Sequence, residues 1–308
     1  MNKSVVVVNL ADIEEEPALR GRVNNIRRHR FPLDSGLPGV NLEFGYTLVP
    51  NGYFTPRHRH NFEQLRYTLE GTFVTGHGDM PPGVAGYFPE GAYYGPQQQS
   101  EDARILILQF QGPTGDHFLS NEEANAMVNQ LKAQGGTFQD GFYTGHKPDG
   151  KRFNKDSYKA IWEELNGRKL VFPKPRYRTP VMMNVENFRW IPHRRQSGVA
   201  VKHLGTFSEY RSSMGFLRMA PGASFAAERH EDAEIRYLLE GSVDYGGKTW
   251  SSGTYFYIPP GATTEELKCR DEARFFTIGL PMLVDLARAP AAKTAVAAVR
   301  AAEQPQPA

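Results

Sequence analysis

Two stretches of the chain repeat the same residues at the same spacing, 170 residues apart. The first runs from Gly52 to Gly91 and the second from Gly222 to Gly261, with no insertion or deletion between the matched positions. A gapless repeat of this kind is the signature of an internal duplication. The chain should therefore fold as two similar domains. The identical pairs include Gly52 and Gly222, His60 and His230, Arg66 and Arg236, Tyr67 and Tyr237, Leu69 and Leu239, Glu70 and Glu240, Gly71 and Gly241, Gly83 and Gly253, Pro89 and Pro259, and Gly91 and Gly261.

Both repeats have the sequence pattern of short β-strands. Apolar runs separated by Gly and Pro fill residues 40–111 and return at residues 181–280. Such runs indicate an antiparallel sandwich or barrel. The length of 308 residues suits two domains. The net charge of only +2 argues against a nucleic-acid partner, and we interpret the basic segment 20–30 as a solvated loop.

Two histidines near the start of the first repeat, His58 and His60, are separated by one residue. On an extended backbone their side chains point to the same face, so two imidazole nitrogens can be directed at one metal ion. The positions of Gln64 and Arg66 differ from those of the histidines by even numbers, so on an extended backbone their side chains point to the same face.

These positions resemble the two signature motifs of the cupin superfamily. In the first motif a glycine, a His-x-His pair, a glutamate and a second glycine follow at fixed spacing; in the second, a glycine, Pro-x-Gly and a histidine do. The chain matches at Gly52, His58, His60, Gly71, Gly83, Pro89 and Gly91, with Gln64 in place of the glutamate and Tyr94 in place of the last histidine. The resemblance implies an all-β dominated fold: two cupin-type jelly-roll β-barrels joined by a helical connector.

We divide the chain into five segments. They are an N-terminal arm (1–34), an N-terminal cupin barrel (35–112), a helical connector (113–179), a C-terminal cupin barrel (180–282) and a flexible C-terminal tail (283–308). Within the connector, residues 120–134 and 156–165 predict helices. Ser120 and Glu123 have the spacing of a capping box, and Gly167 is placed as a terminator.

The first barrel offers a candidate ligand site. By the resemblance, His58, His60, Gln64 and Tyr94 are candidate ligands of a divalent transition metal, Fe, Mn, Ni, Cu or Zn. The alternative is that no metal is bound and the histidines form only hydrogen bonds. Arg66, an inward guanidinium, is a candidate for binding a small anionic molecule, unless it pairs with Glu70 or another interior acid.

A second candidate for substrate contact lies in the glutamine run 97–99, at the predicted mouth of the first barrel. We assign this role to Gln98. A glutamine run is also typical of an exposed loop.

In the second barrel the equivalent positions are Glu228, His230, Glu234 and Arg236, with Thr264 at the place of the motif's last histidine. One imidazole and two carboxylates can bind a hard cation. We favour an ion pair instead, because Arg236 lies on the face of Glu234 and buried carboxylates need a partner.

The function hypotheses belong to different classes. Many bicupins are metal enzymes, including dioxygenases and oxalate decarboxylases. The resemblance therefore implies a metal-dependent, dioxygenase-like or decarboxylase-like oxidoreductase acting on a small anionic or phenolic molecule. The alternative is a non-catalytic small-molecule-binding bicupin that has lost its metal. A storage role is a third class, and it has only the fold to support it.

Location and assembly are predicted from the N-terminal residues and from the single cysteine. Cys269 has no partner for an intramolecular disulfide, which fits a reducing compartment. The valine run near the N-terminus is too short to span a membrane, and we expect a cytoplasmic protein with no membrane partner. The run SVVVVN at residues 4–9 predicts a strand whose unpaired edges favour a homo-oligomer, most simply a dimer.

Overall fold

The computed structural model describes residues 4–18, 25–37, 40–116, 118–207, 210–281 and 283. The predicted C-terminal tail lies outside these residues, apart from residue 283. The chain divides into two compact units. One contains residues 8–34 and 39–191; the other contains residues 1–7, 35–38 and 192–308. No helix of the described residues is long and apolar enough to cross a membrane.

The elements up to residue 166 include two α-helices. In chain order, these elements are β1 (Val6–Asn9), a 3-10 helix (Leu10–Asp12), β2 (Glu15–Pro17), β3 (Arg27–Phe31), β4 (Leu42–Val49), β5 (Phe54–Thr55), β6 (Phe62–Glu70), β7 (Phe73–Val74), β8 (Asp79–Met80), β9 (Val84–Phe88), β10 (Gln97–Gln98), β11 (Ala103–Gln111), α1 (Asn121–Ala133), β12 (Thr137–Gln139), β13 (Phe142–His146), β14 (Arg152–Asp156) and α2 (Ser157–Asn166).

The remaining elements are strands and one further 3-10 helix. They are β15 (Val181–Asn184), the 3-10 helix (Val185–Asn187), β16 (Ile191–Pro192), β17 (Val199–Phe207), β18 (Ser212–Met219), β19 (Ser224–Phe225), β20 (Ala233–Glu240), β21 (Ser242–Tyr245), β22 (Lys248–Ser251), β23 (Thr254–Ile258), β24 (Leu267–Cys269) and β25 (Ala273–Leu280).

Each unit is built on a seven-stranded sheet. The N-terminal sheet has the order β15-β9-β6-β11-β4-β3-β2, and the C-terminal sheet has the order β1-β23-β20-β25-β18-β17-β16. The described residues also form four smaller sheets: β10-β5, β7-β8, β12-β13-β14 and β19-β24-β21-β22. The architecture is the strand-dominated, two-domain one that the sequence predicts, but among the described residues neither seven-stranded sheet closes into a barrel. The names first barrel and second barrel are kept below for the N-terminal and C-terminal units.

The duplication is visible in the strand register. Gln64 lies opposite Gln109 between β6 and β11, and Glu234 lies opposite Gly279 between β20 and β25. Both pairings skip one residue, at Leu69 and at the equivalent Leu239. A bulge at the same point of both strands shows that the two repeats keep one register.

The glycines that follow β6 and β20 are also equivalent. Gly71 and Gly241 have φ angles of +62° and +82°, which disfavour any side chain. A Cβ at Gly71 would lie 1.9 Å from the carbonyl oxygen of Asp102, and one at Gly241 would lie 2.1 Å from that of Glu272. The repeat therefore extends to the loop on which each glycine packs.

The limits of the two units differ from the predicted segments. Strands β2 and β3 fall within the predicted N-terminal arm, but they pair in the N-terminal sheet. Strand β15 falls within the predicted C-terminal barrel, but it pairs with β9 of the same N-terminal sheet. Both differences arise because local sequence patterns predict where strands are but do not show which sheet each strand joins.

The predicted connector contains the two expected helices. Ser120 accepts a hydrogen bond from the Glu123 backbone at 3.1 Å, and the Glu123 carboxylate accepts one from the Ser120 backbone at 2.8 Å, which completes the capping box. Gly167 follows α2 in the left-handed conformation. The sheet β12-β13-β14 between the helices was not predicted. Trp162 of α2 packs in one core with Phe62 of β6, so the helical segment packs on the N-terminal sheet.

The valine run forms β1, as predicted, and this strand pairs with β23 of the same chain. The predicted dimer depends on unpaired edges of this strand. One edge is covered within the chain, so the strand gives weaker support for self-association than its sequence suggested.

Candidate functional site

A cavity of about 130 Å³ lies inside the N-terminal unit. Its polar lining comes from side chains on one face of the neighbouring strands β3, β4, β6 and β11, and from the loops that carry the two histidines and Tyr94. Aromatic and aliphatic side chains form the rest of the wall, among them Val49, Tyr53, Phe62, Phe73, Ile107, Phe118, Leu119 and Tyr158. The cavity therefore combines a polar side with an apolar one, as ligand pockets commonly do.

The two histidines converge on this cavity. The ring centroids of His58 and His60 are 5.1 Å apart, as their spacing predicts. Nδ1 of His58 lies 2.7 Å from the carbonyl oxygen of Pro56, which can only accept, so Nδ1 carries the proton. His60 stacks on Phe62 with 4.3 Å between ring centroids. The hydroxyl of Tyr94 lies 3.4 Å from both ring nitrogens of His60.

Arg66 lies beside the histidines and is only 4% exposed. Its Nη2 donates to the hydroxyl of Tyr94 at 2.9 Å and to Oε1 of Gln64. Its Cζ lies 3.9 Å from the centroid of the Phe88 ring, which covers one face of the guanidinium. Nε of Arg66 is buried and has no hydrogen-bond partner. The side chain is thus held in place by neutral groups.

The acid considered as a partner of Arg66 is engaged elsewhere. Glu70 forms its ion pair with Arg104, at 3.0 Å. Glu63, adjacent to Gln64 in sequence, accepts a hydrogen bond from the Tyr87 hydroxyl at 2.7 Å. None of the ion pairs found among the described residues includes Arg66.

A row of hydrogen bonds runs from Arg66 across three neighbouring strands. Gln64 of β6 donates from Nε2 to Oε1 of Gln109 in β11 at 2.6 Å. Gln109 donates in turn to Oε1 of Glu43 in β4 at 3.4 Å. These residues are opposite one another in the sheet register, so one row of interior positions is polar throughout.

The row ends at Glu43, whose carboxylate is already bound by two guanidinium groups. Arg28 contacts Oε1 of Glu43, and Nε of Arg30 lies 3.3 Å from Oε2. Burial lowers the pKa of Arg28 to about 10; Arg30 and Arg66 add to this effect and Glu16 opposes it. Glu43 is the one acid among the described residues that line the cavity, whereas Arg28 and Arg66 both line it. The cavity therefore carries excess positive charge.

The four predicted metal ligands do come together, but the donor set does not fit a divalent transition metal. Gln64 and Tyr94, the two oxygen donors, both accept hydrogen bonds from Arg66. A divalent cation bound to either oxygen would lie close to a buried guanidinium, which repels it. The imidazoles of His58 and His60 alone supply fewer ligands than the three or four of protein metal sites. In the described part of the chain, no group of three or more His, Cys, Asp or Glu residues is placed to hold a metal ion.

The glutamine run contributes to the cavity through a different residue from the one predicted. Gln97 is buried and lines the cavity, whereas Gln98 is exposed. The two residues form β10, where successive side chains alternate in direction. The assignment to Gln98 is therefore displaced by one residue.

Sequence reasoning missed Arg28, Glu43 and Gln109. Arg28 lies within the basic segment that we interpreted as a solvated loop, but residues 27–31 form β3, and their basic side chains belong to a strand of the sheet. Arg28, His29 and Arg30 are consecutive basic residues without apolar alternation, so the local sequence contains no signal for a strand here. Nothing in the sequence shows that β3 pairs with β4, and that pairing is what brings Arg28 to the cavity.

In the second barrel, the side chains at the equivalent positions form a network of ion pairs. Arg236 donates from Nε to Oε1 of Glu234 at 2.7 Å and from Nη2 to Oε2 at 3.1 Å. His230 lies 3.4 Å from Glu234 and 3.5 Å from Glu228. Burial alone would raise the pKa of Glu234, but the charge of Arg236 and the hydrogen bonds from His230 and Arg236 lower it to about 2. This is the arrangement that we favoured over a bound cation.

Comparisons with known proteins agree with this architecture. Residues 178–282 match the ChrR Cupin-like domain. The chain is similar in structure to a proposed dioxygenase from Nostoc punctiforme PCC 73102, with a TM-score of 0.63 and 13% identity over 91% of this chain and 84% of that one. It is also similar to oxalate decarboxylase from Bacillus subtilis, with a TM-score of 0.53 and 15% identity over 91% of this chain and 78% of that one. None of the curated proteins matches the chain. At these identities, the structural likeness establishes the fold alone.

Proposed function

The chain is a two-domain cupin by fold, and we propose that its N-terminal cavity binds a small anionic molecule. Arg66 neutralises the anion, and the apolar wall of the cavity contacts the rest of the ligand. His58, His60 and Tyr94 offer hydrogen bonds on the polar side. In this proposal the protein is a small-molecule-binding cupin in which a guanidinium takes the place of the metal.

The observation that supports the proposal is the buried guanidinium without an acid. Burying a charge is costly unless it is paired, and the hydrogen bonds of Arg66 go to the neutral side chains of Gln64 and Tyr94. The one acid of the described lining, Glu43, is bound by two other arginines. A ligand carboxylate or phenolate would supply the missing negative charge through charge-assisted hydrogen bonds.

The volume of the cavity limits the size of the ligand. An apolar protein cavity of about 150 Å³ accommodates benzene, and this cavity has about 130 Å³. Benzoate is larger than benzene, so a single aromatic ring with one carboxylate or hydroxyl is the upper limit of size for a ligand of this partly open cavity, and smaller aliphatic acids also fit. Benzoate is a suitable probe for this class, and benzamide is its uncharged counterpart of the same shape.

We expect benzoate to bind to the purified protein and benzamide to bind at least about tenfold more weakly. The reason is that a hydrogen bond to a charged group contributes about 1.5–3 kcal/mol, and about 1.4 kcal/mol corresponds to a factor of ten in affinity. Isothermal titration calorimetry at neutral pH measures both affinities. Equal affinities, or no binding of either compound, would contradict the proposed function.

A second candidate is a metal-dependent oxidoreductase, dioxygenase-like or decarboxylase-like. It is favoured by the convergence of His58 and His60 and by the similarity in fold to the proposed dioxygenase and to oxalate decarboxylase. The Bacillus subtilis decarboxylase contains Mn(II) centres. The guanidinium at the oxygen donors argues against this candidate for the present chain.

Metal content separates the two candidates. We expect mass spectrometry on protein purified without a His tag to find only trace transition metal. Near-stoichiometric metal would favour the oxidoreductase instead. In that case replacing both His58 and His60 with alanine should abolish metal retention, whereas the control His230→Ala should leave it nearly unchanged.

Self-association as a dimer remains an additional proposal. It is supported by β1, which lies at the end of the C-terminal sheet with one edge paired to β23 and so offers its other edge to a second copy. Light scattering across micromolar concentrations tests it, and a monomer throughout would count against it.

A further inference from the structure

We infer that residue 64 determines whether this barrel accepts a carboxylate from outside. Glutamine at this position leaves part of Arg66 available to a ligand, whereas the glutamate at the equivalent position 234 occupies Arg236 from within the protein. This inference rests on the proposed function. It goes further by naming the atoms that receive the ligand and the residue that selects for it.

The second barrel shows how a carboxylate binds this arginine. Both oxygens of Glu234 accept hydrogen bonds from Arg236, one from Nε at 2.7 Å and one from Nη2 at 3.1 Å. This two-point arrangement is the strong, geometrically specific mode of arginine–carboxylate recognition. Because the two repeats share one register, Glu234 shows where a carboxylate fits relative to the equivalent arginine.

In the first barrel the equivalent arginine is Arg66, and only one of the two contacts made by Arg236 is present. Gln64 has a single acceptor oxygen, and it accepts from Nη2 of Arg66. Its amide nitrogen donates to Gln109 at 2.6 Å and cannot also accept from Nε of Arg66. Nε of Arg66 is therefore left buried without a hydrogen-bond partner. It is the equivalent of the atom that donates to Glu234 in the second barrel.

The neighbouring strand explains why the two side chains behave differently. Gln109, opposite Gln64, fixes the orientation of the amide by accepting its hydrogen bond. The residue opposite Glu234 is Gly279, which has no side chain to compete for the carboxylate. Both oxygens of Glu234 are consequently available to Arg236 and His230.

The structure also restricts the direction from which a ligand approaches. Phe88 covers one face of the Arg66 guanidinium at 3.9 Å, so an anion binds at the edge of the group, where its N–H donors point. Nε has almost no accessible surface, and Nη2 already donates to Gln64 and Tyr94. A planar carboxylate therefore displaces the Gln64 amide from this edge, and it then accepts from Nε with one oxygen and from Nη2 with the other. The class of ligand that this edge selects is a monocarboxylate.

The test exchanges the two residues and uses benzoate as the probe. We expect Gln64→Glu to weaken benzoate binding at least about 30-fold, because the introduced carboxylate occupies Arg66 as Glu234 occupies Arg236. The variant should melt at a higher temperature than the unaltered protein. Gln98→Glu is the matched control: it adds the same charge at an exposed position that does not line the cavity, and it should keep benzoate affinity within about threefold.

The reverse substitution, in the second barrel, tests the inference independently. Glu234→Gln should free Arg236, which lines a cavity of about 290 Å³ in the C-terminal unit, and should raise the number of benzoate molecules bound per chain from one to two. Calorimetric titration measures this stoichiometry, and it does not depend on the folding of the Gln64→Glu variant.

The outcomes separate the inference from the proposed function. Benzoate binding to the unaltered protein, with undiminished binding to folded Gln64→Glu, would overturn the inference and leave the proposed function standing. A stoichiometry that stays at one in Glu234→Gln would also count against it. If the unaltered protein does not bind benzoate, the proposed function fails, and the inference fails with it.

Discussion

Replacing Arg66 with methionine is expected to weaken benzoate binding about 10- to 150-fold. The change removes the charge-assisted hydrogen bonds, which contribute about 1.5–3 kcal/mol, and it keeps a side chain of similar length in contact with Phe88. Stability should change little or increase, because the guanidinium is buried without an acid, and an apolar replacement removes the cost of burying its charge. Calorimetric titration measures the first effect and thermal melting the second.

Arg236→Met is the matched control for this experiment. It removes the equivalent arginine from the second barrel, where Glu234 already occupies it, and benzoate affinity should stay the same. Loss of benzoate binding from this control, together with unchanged binding to Arg66→Met, would show that the roles of the two barrels are the reverse of those proposed.

The sequence was sufficient to predict the fold because several residues that reveal the duplication are glycines at positions where the backbone conformation excludes other residues. Gly71 and Gly241 adopt positive φ angles and pack against a backbone carbonyl, and neither position accommodates a side chain. Alternation of apolar residues then gives the strands. The order of strands in a sheet depends on pairing between distant segments, and this explains why β3 and β15 could not be assigned to a sheet from local patterns.

The candidate site was partly predictable for the same reason. His58, His60, Gln64 and Arg66 lie on one strand or its entry loop, where parity alone places them on a common face. Tyr94 was placed by its position in the second motif. Each of these residues lines the cavity.

The remaining part of the site depends on pairing between strands. Glu43 and Gln109 reach the polar row because β4 and β11 are adjacent, and the sequence contains no local signal for that adjacency. The glutamine run shows a different limit. Parity distinguishes Gln97 from Gln98 only once the start of β10 is known, and boundaries of short strands are the least predictable part of a sequence.

The same substitution in the second barrel should have the opposite effect on stability from the one in the first. We expect Arg236→Met to lower the free energy of unfolding by about 3 kcal/mol at pH 7, the lower end of the range for breaking a buried ion pair by removing one partner. The lower end applies because the Glu234 side chain is 25% exposed. Without Arg236, Glu234 is left with His230, which lies 3.4 Å from Glu234 and 3.5 Å from Glu228.

This loss of stability should depend on pH in a direction fixed by Glu234. Arg236 holds the pKa of Glu234 at about 2 in the folded protein, below the ordinary value of about 4.3 in an unfolded chain. A depressed pKa contributes stability that is fully present above the unfolded pKa and is lost as the pH falls through the folded one. The difference in unfolding free energy between the unaltered protein and Arg236→Met should therefore be largest above pH 5 and shrink between about pH 4.5 and pH 2, because a protonated Glu234 no longer needs the guanidinium. Urea unfolding at pH 7 and at pH 3 measures it, with Arg66→Met as the control whose difference should stay nearly constant; a difference for Arg236→Met that is equally large at both pH values would show that the arginine stabilises the barrel through packing rather than through its charge.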